Sequence, residues 1–370
     1  MASDMTSDTT ARPTPGSPEH RTAPQGAEGP DGTDGAAIGP AAATPDAGRS
    51  AATAAGGGDL GFVWTPPPGG YSWWYVDALS DDGRYGLTII AFIGSVFSPY
   101  YVWAGRRDPR DHCAINVALY DLAGRGRGDR WAMTERGAEA LDQRADGITV
   151  GPSALTWNGD TLTIEIDERT APVPRRLKGT ITVHAKALNP TAHALDAAAR
   201  HHWRPIAPVA RAEVAMTAPA LAWSGHAYVD SNWGTEPLEK AFARWDWSRG
   251  RLGGDTVTLY AADRRDGTHN ALGLRYHADG RVSEFEPPAE VALPVTGWRM
   301  HRRTRTDGGQ PPHSVRTIDD SPFYTRSVLE APLLGARVAT VHESLNLDRF
   351  DTGLVRAMLP FRMPRKWWPR

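Results

Sequence analysis

The sequence predicts an all-β protein: two β-barrels or sandwiches behind a disordered N-terminal tail. Three observations carry this reading. From about residue 70 onward, short β-branched and aromatic runs alternate with polar positions. Gly, Asn, Asp and Pro punctuate those runs at turn spacing. Helical periodicity, by contrast, is sparse.

The elements follow in order along the chain. Residues 1–58 are rich in Ala, Pro, Thr, Gly, Ser and Asp and contain no Phe, Trp or Tyr. Such a segment buries too little apolar surface to offset its ordering entropy, so it is expected to be disordered and dispensable to the fold. Aromatics begin at Phe62 and Trp64, and "TPPPGG" (65–70) gives a stiff, extended entry. Strands are expected in "GYSWWYVDAL" (70–79), "YGLTIIAFIG" (85–94), "CAINVALYD" (113–121), "SALTWNGDTLTIEIDE" (153–168) and "KGTITVHAKAL" (178–188). Within the fourth of these, Asn158-Gly159 between alternating runs marks a hairpin. The second half repeats the style in "ALAWSGHAYVD", "DTVTLYAADR", "HNALGLRYHADG", "GWRMHRRTR", "HSVRTIDD" and "ARVATVHESLNLDRF". The best helical candidate is "EPLEKAFARWDW" (236–247). Two β-domains, 59–220 and 221–370, are the expected division.

The most apolar stretch, residues 85–105, is broken by Gly94, Ser95, Ser98 and Pro99. It falls short of the roughly 20 apolar residues of a spanning helix and reads as a buried strand pair. No secretory signal is visible near the start. A formal net charge of -2 and pI near 6.6 exclude an electrostatic case for nucleic acid. The single cysteine, Cys113, excludes an internal disulfide, fits a reducing compartment and reads as a buried small hydrophobe. Fourteen tryptophans point to large apolar or planar ligands as well as core.

One stretch concentrates chemistry without metal-ligand or phosphate-cradle spacing: "GHAYVDSNWG" (225–234). Residues two apart on a strand share a face, so His226, Tyr228 and Asp230 align. The same rule aligns His201 with Trp203 in "HHWRP". If those two strands are neighbours, an acid, imidazoles, a phenol and an indole line one cavity. From spacing alone, an ordinary sheet face ended by an Asp-Ser-Asn turn is the better fit. Asp77, in "WWYVDAL", is a further acid in an aromatic setting, read first as a buried or salt-bridged structural residue. "WDWSR" (245–249) is read as core rather than ligand platform, and "NWG" (232–234) as the turn after Asp230.

Five blocks then carry a family resemblance: residues 70–101, 166–183, "HHWRPIAPVARAEV" (201–214), "WSGHAYVDSNWGTEPLEKAFARWDWSR" (223–249) and "MLPFRMPR" (358–365). Together they resemble carotenoid 1,2-hydratases, also called hydroxyneurosporene synthases, over about residues 60–365. The resemblance implies two lipocalin-like β-domains. It also implies a catalytic set of His201, Trp203, Tyr228 and Asp230. Water would add across the terminal 1,2 double bond of an acyclic carotenoid such as neurosporene or lycopene, giving a tertiary alcohol with no cofactor and no metal.

That chemistry needs a strong local acid, because a trisubstituted alkene is a poor base. Asp230 among aromatic walls is expected to stay protonated and to protonate C2. Trp203 and Tyr228 would face the tertiary cation at C1, although Tyr228 has the alternative of bonding Asp230 or the water. His201 would orient the water or take its proton. His226 lies outside the family set. The substrate lives in a bilayer, and "FRMPRKWWPR" (361–370) interleaves Lys and Arg with Trp367 and Trp368. A cytoplasmic protein with peripheral membrane contact is therefore expected, with other carotenoid-pathway enzymes as further partners. Two other classes share some of these features. One is a non-catalytic lipocalin-like carrier of carotenoid or lipid; the other is a carbohydrate-active protein with tryptophan platforms and paired acids.

Overall fold

A computed structural model describes residues 60–124 and 128–366. The expected disorder of residues 1–58 and the expected anchor at Trp367 and Trp368 both concern residues outside these.

Tyr71–Ser80 is the middle of the architecture. It pairs antiparallel with Tyr85–Ile93 on one side and Ala220–Gly234 on the other. From the first neighbour the sheet continues through Cys113–Asp121 to Arg130–Arg136. From the second it continues through His201–Ala218, Arg176–Ala185 and Thr161–Arg169 to three short strands within residues 141–157. This twelve-stranded antiparallel sheet curls into a nearly closed barrel. The Asn158-Gly159 hairpin forms as expected, with Gly159 at φ +104°, a left-handed conformation that favours glycine.

A second antiparallel sheet of seven strands has Phe242–Leu252 at its centre, flanked by Asp255–Arg264 and Ala336–Asn346. The change of sheet falls between Gly234 and Phe242. The strand Ala220–Gly234, which the sequence reading assigns to the start of the second domain, therefore pairs in the first sheet. Its partner across a long hairpin is His201–Ala218, which binds it by backbone hydrogen bonds on the far side from Tyr71–Ser80.

Period-2 alternation places the first sheet between two apolar layers. Trp74, Val76 and Ala78 point into the barrel with Leu87, Ile89, Cys113, Ile115, Val214 and Val229. Tyr71, Trp73 and Tyr75 point outward instead, into a layer shared with Trp247, Tyr260, Tyr276 and Leu345 of the second sheet. Both faces of these central strands are buried. They therefore read as nearly continuous apolar runs rather than as clean alternation.

Two sequence expectations are corrected here. Residues 236–247 are not one helix. Leu238–Ala241 makes a single helical turn and the chain then enters the strand Phe242–Leu252. In that strand Trp247 packs between the sheets while Ser248 and Asp246 point the other way, a strand alternation that the charged residues before it mask. Residues 85–105 are not a strand pair either. Tyr85–Ile93 is a strand, but Pro99–Trp103 is a short helix, capped by Ser98 Oγ accepting from Tyr101 N at 2.9 Å and started by Pro99 at its first turn. Tyr324–Leu333 is a strand that the pattern missed, since Arg326, Ser327 and Glu330 dilute its apolar content. Cys113 is buried in the barrel core, as expected.

Candidate active site

The candidate site lies between the two sheets, on the outer face of the barrel rather than in its interior. A cavity of about 130 Å³ opens there. Trp73, Tyr75, Phe92, Trp131, Trp203 and Asp230 line it from the first sheet, and Trp245, Trp247, Phe323, Tyr324, Arg326 and Glu343 from the second. The volume is small beside the roughly 300–1,000 Å³ of pockets that enclose a whole drug-sized ligand. It suits one end of a long chain.

Asp230 owes its setting to register. Its direct cross-strand neighbour on one side is Tyr75, and on the other Pro205. Pro205 has no N–H to give the ladder, and the register slips between Pro205 and Ala210, the bulge at which proline is tolerated in a central strand. Trp203, two residues before Pro205, sits diagonally from Asp230 and its Nε1–H donates to Asp230 Oδ2 at 2.8 Å. Tyr228, two residues before Asp230 on the same face, donates its hydroxyl to the same Oδ2 at 3.0 Å. Asp230 Oδ1 is buried and has no hydrogen-bond partner among the described residues.

This asymmetry has a chemical consequence. Burial pushes the Asp230 carboxyl well above the usual carboxylate range. The donors Trp203 and Tyr228 oppose that shift, while the negative charges of Glu343 and Asp77 add to it. A protonated Asp230 with two donors on Oδ2 carries its proton on Oδ1. The sheet register thus selects which oxygen of a protonated Asp230 holds the proton.

His201 is not part of this lining. It is fully buried, with Nδ1 2.9 Å from the Tyr71 hydroxyl and Nε2 3.5 Å from Glu236 Oε1. A proton on Nε2 facing Glu236 lets Nδ1 accept from Tyr71. Burial lowers the His201 pKa, so the ring is neutral, and Gly234 makes room for it: a Cβ there would sit 2.7 Å from Tyr71 and 2.8 Å from His201. Tyr71 in turn stacks on the cavity-lining Trp73 at 5.0 Å. Of the four expected residues, Trp203, Tyr228 and Asp230 come together and His201 stands two rings behind the wall.

The remaining candidates also find places. Asp77 is buried in an ion pair with Arg249 and accepts from the Tyr75 hydroxyl at 2.9 Å. His226 sits 2.8 Å from Arg249 Nη1, and burial with that guanidinium pushes its pKa down to about 2, leaving an acceptor ring rather than an acid. Trp245 and Trp247, read from sequence as core, are cavity walls, and Asn232 is a lining residue within a continuing strand rather than a turn. Sequence reasoning missed Tyr75, Arg326 and Glu343. The last two belong to strands far along the chain, with no local signal tying them to Asp230.

The family model for carotenoid hydratase CrtC matches residues 89–369. An acyclic carotenoid 1,2-hydratase from Thiocapsa roseopersicina is 52% identical over 344 residues, covering 92% of this chain and 81% of the relative. Another from Rubrivivax gelatinosus is 49% identical over 307 residues, covering 81% of this chain and 74% of that one. In fold, the chain is similar to the crystal structure of a protein assigned as AttH from Nitrosomonas europaea, with a TM-score of 0.51 and 16% identity over 75% of this chain and 92% of the other.

Proposed function

The chain belongs to the carotenoid hydratase CrtC family, and from that premise we propose that it adds water across the terminal 1,2 double bond of an acyclic carotenoid, with Asp230 as proton donor. The observation that carries this reading is the bare Oδ1 of a buried carboxyl in an aromatic cavity. The end of neurosporene or lycopene enters between the sheets. Asp230 protonates C2, and the tertiary cation forms at C1. Trp73, Tyr75, Trp203 and Trp247 offer ring faces to that cation, each worth roughly 0.5–2 kcal/mol. Water adds at C1, and solvent returns a proton to Asp230. Trp203 and Tyr228 hold the acid in its reactive orientation, and His201 acts through Tyr71 and Trp73 as a positioning residue. No cofactor or metal enters the proposed reaction.

The test is isotopic. Purified protein and lycopene, incubated anaerobically with chelator in D₂O enriched in H₂¹⁸O, are expected to give 1-hydroxylycopene with one deuterium at C2 and ¹⁸O at C1. Mass spectrometry and NMR read both labels. Alcohol formed only when air or metal is restored, or alcohol without ¹⁸O, overturns the mechanism. Binding without any alcohol leaves the chain a carrier.

The substrate's home in a bilayer asks for a contact surface, and no helix among the described residues is long and apolar enough to cross a membrane. Leu354 and Phe361 are each 74% exposed and belong to the same C-terminal segment as Leu359, Arg362 and Met363, which line the cavity. We propose that this C-terminal segment rests on the membrane and receives the carotenoid. Leu354→Ser with Phe361→Ser is expected to cut co-sedimentation with anionic vesicles several-fold while thermal unfolding stays unchanged. Undiminished co-sedimentation would place the contact elsewhere.

A further inference from the structure

Hydration needs a second proton transfer, because water that attacks a cation must lose a proton. Asp230 becomes a carboxylate on protonating C2 and regains its proton from solvent, and His201 lies behind Tyr71. Two further carboxylates line the cavity: Asp319, which pairs with Arg362 at 3.6 Å, and Glu343, which a buried arginine holds. Glu343 stands on Ala336–Asn346, directly opposite Trp247 in one neighbouring strand and Arg326 in the other. All its hydrogen bonds fall on a single oxygen. Arg326 donates Nε and Nη2 to Oε1 at 2.9 and 2.7 Å, and the Tyr75 hydroxyl, whose single proton also faces Asp77 Oδ2 at 2.9 Å, stands 2.8 Å from the same atom. Oε2 accepts no hydrogen bond from any described residue, and the side chain lines the cavity.

Arg326 is itself fixed. It is buried, its Nη1 donates to the Tyr120 hydroxyl at 2.7 Å, and its guanidinium lies over the Tyr75, Tyr120 and Tyr324 rings. Tyr75 is also the cross-strand neighbour of Asp230. The two carboxyl groups thus share one cavity, each with one oxygen tied by protein donors and the other without a donor among the described residues. The pair has opposite charge environments: a guanidinium holds Glu343, whereas no cation touches Asp230. That is the arrangement in which two carboxyls divide into acid and base.

We infer that Glu343 is the general base of the hydration, taking the proton from the attacking water on Oε2. The balance is complete. The Asp230 proton forms the C2–H bond, the alkene π pair is consumed, and water oxygen forms the C1–O bond. The released proton goes to Glu343 and then to solvent, while Asp230 is reprotonated. This assignment rests on the hydration proposed above.

Glu343→Gln keeps an oxygen for Arg326 and Tyr75 but removes the proton acceptor. Its kcat with lycopene is expected to fall by about 10²-fold or more, the usual worth of a positioned base. Lycopene binding, read by tryptophan quenching, should change by less than about twofold. The loss should fall on kcat with KM unchanged, a split that a merely structural role does not produce. Glu343→Asp retains the carboxylate at a shorter reach and is expected to stay more active than Glu343→Gln, with kcat reduced about tenfold; it also serves if the Gln variant fails to fold. Wild-type turnover in either variant, or equal losses of kcat in the two, overturns the inference. A wild-type protein that makes no alcohol instead overturns the hydration reading itself, so the two failures are distinct.

Discussion

Asp230→Asn is expected to reduce hydration of lycopene by about 10²–10⁴-fold, the scale of a lost general acid, while the protein stays folded and still binds carotenoid. The substitution is nearly isosteric. Its amide oxygen can still accept from Trp203 Nε1 and the Tyr228 hydroxyl, which now both meet Oδ2. What it loses is the proton on the bare oxygen. Wild-type activity should also fall on the alkaline side, as pH rises through the raised Asp230 pKa and the acid form is depleted. The same shift has a stability sign. The folded-state pKa lies above the unfolded one, so the native state binds more protons between the two values. The stabilisation is fully present below the unfolded pKa and is lost as pH rises through the folded one. Asp230→Asn should remove that slope, so its unfolding midpoint in urea should depend less on pH than the wild type's. A purified variant that keeps a third of wild-type turnover would remove Asp230 from the mechanism.

Arg249→Met is expected to be the most destabilising single change on the sheet beneath the site, costing about 3–5 kcal/mol. Arg249 and Asp77 form an ion pair whose side chains are each 1% exposed. Removing the cation leaves a buried carboxylate with the charge of Arg326 and a Tyr75 hydroxyl that Glu343 also contests to answer it. Burial already raises the Asp77 pKa against the pull of Arg249, and losing that partner raises it further. The variant should therefore recover part of its stability as pH falls and Asp77 takes a proton. Adding Asp77→Asn should recover much of the loss at neutral pH, because the uncompensated charge is gone. Urea unfolding of the three proteins at two pH values checks this. A loss below about 1 kcal/mol at neutral pH would mean that water reaches Asp77 despite its burial.

The linear sequence was enough for the all-β class, for most strands, and for the local pairing of Tyr228 with Asp230. Those features depend on neighbours within a few residues: alternation sets strand faces, Asn-Gly sets a hairpin, and two-residue spacing sets a shared side. The aromatic content around Asp230 was legible for the same reason, and so was the expectation of a raised acid. Trp203 was placed beside Asp230 only on the condition that two strands pair, and the antiparallel register meets that condition.

Three things were decided by tertiary structure alone. The cavity lies between the sheets and not within the barrel, because Tyr71, Trp73 and Tyr75 face outward while Trp74 and Val76 fill the interior. A period-2 pattern buried on both faces does not say which face is which. His201 shares a strand with Trp203, yet its neighbours Tyr71 and Glu236 hold it away from the lining. Glu343, 113 positions after Asp230, meets the same cavity only because Ala336–Asn346 pairs beside Phe242–Leu252 and the second sheet closes over the first. Non-local strand pairing is chosen by the sum of apolar burial across whole sheets, a quantity that no short window of sequence contains.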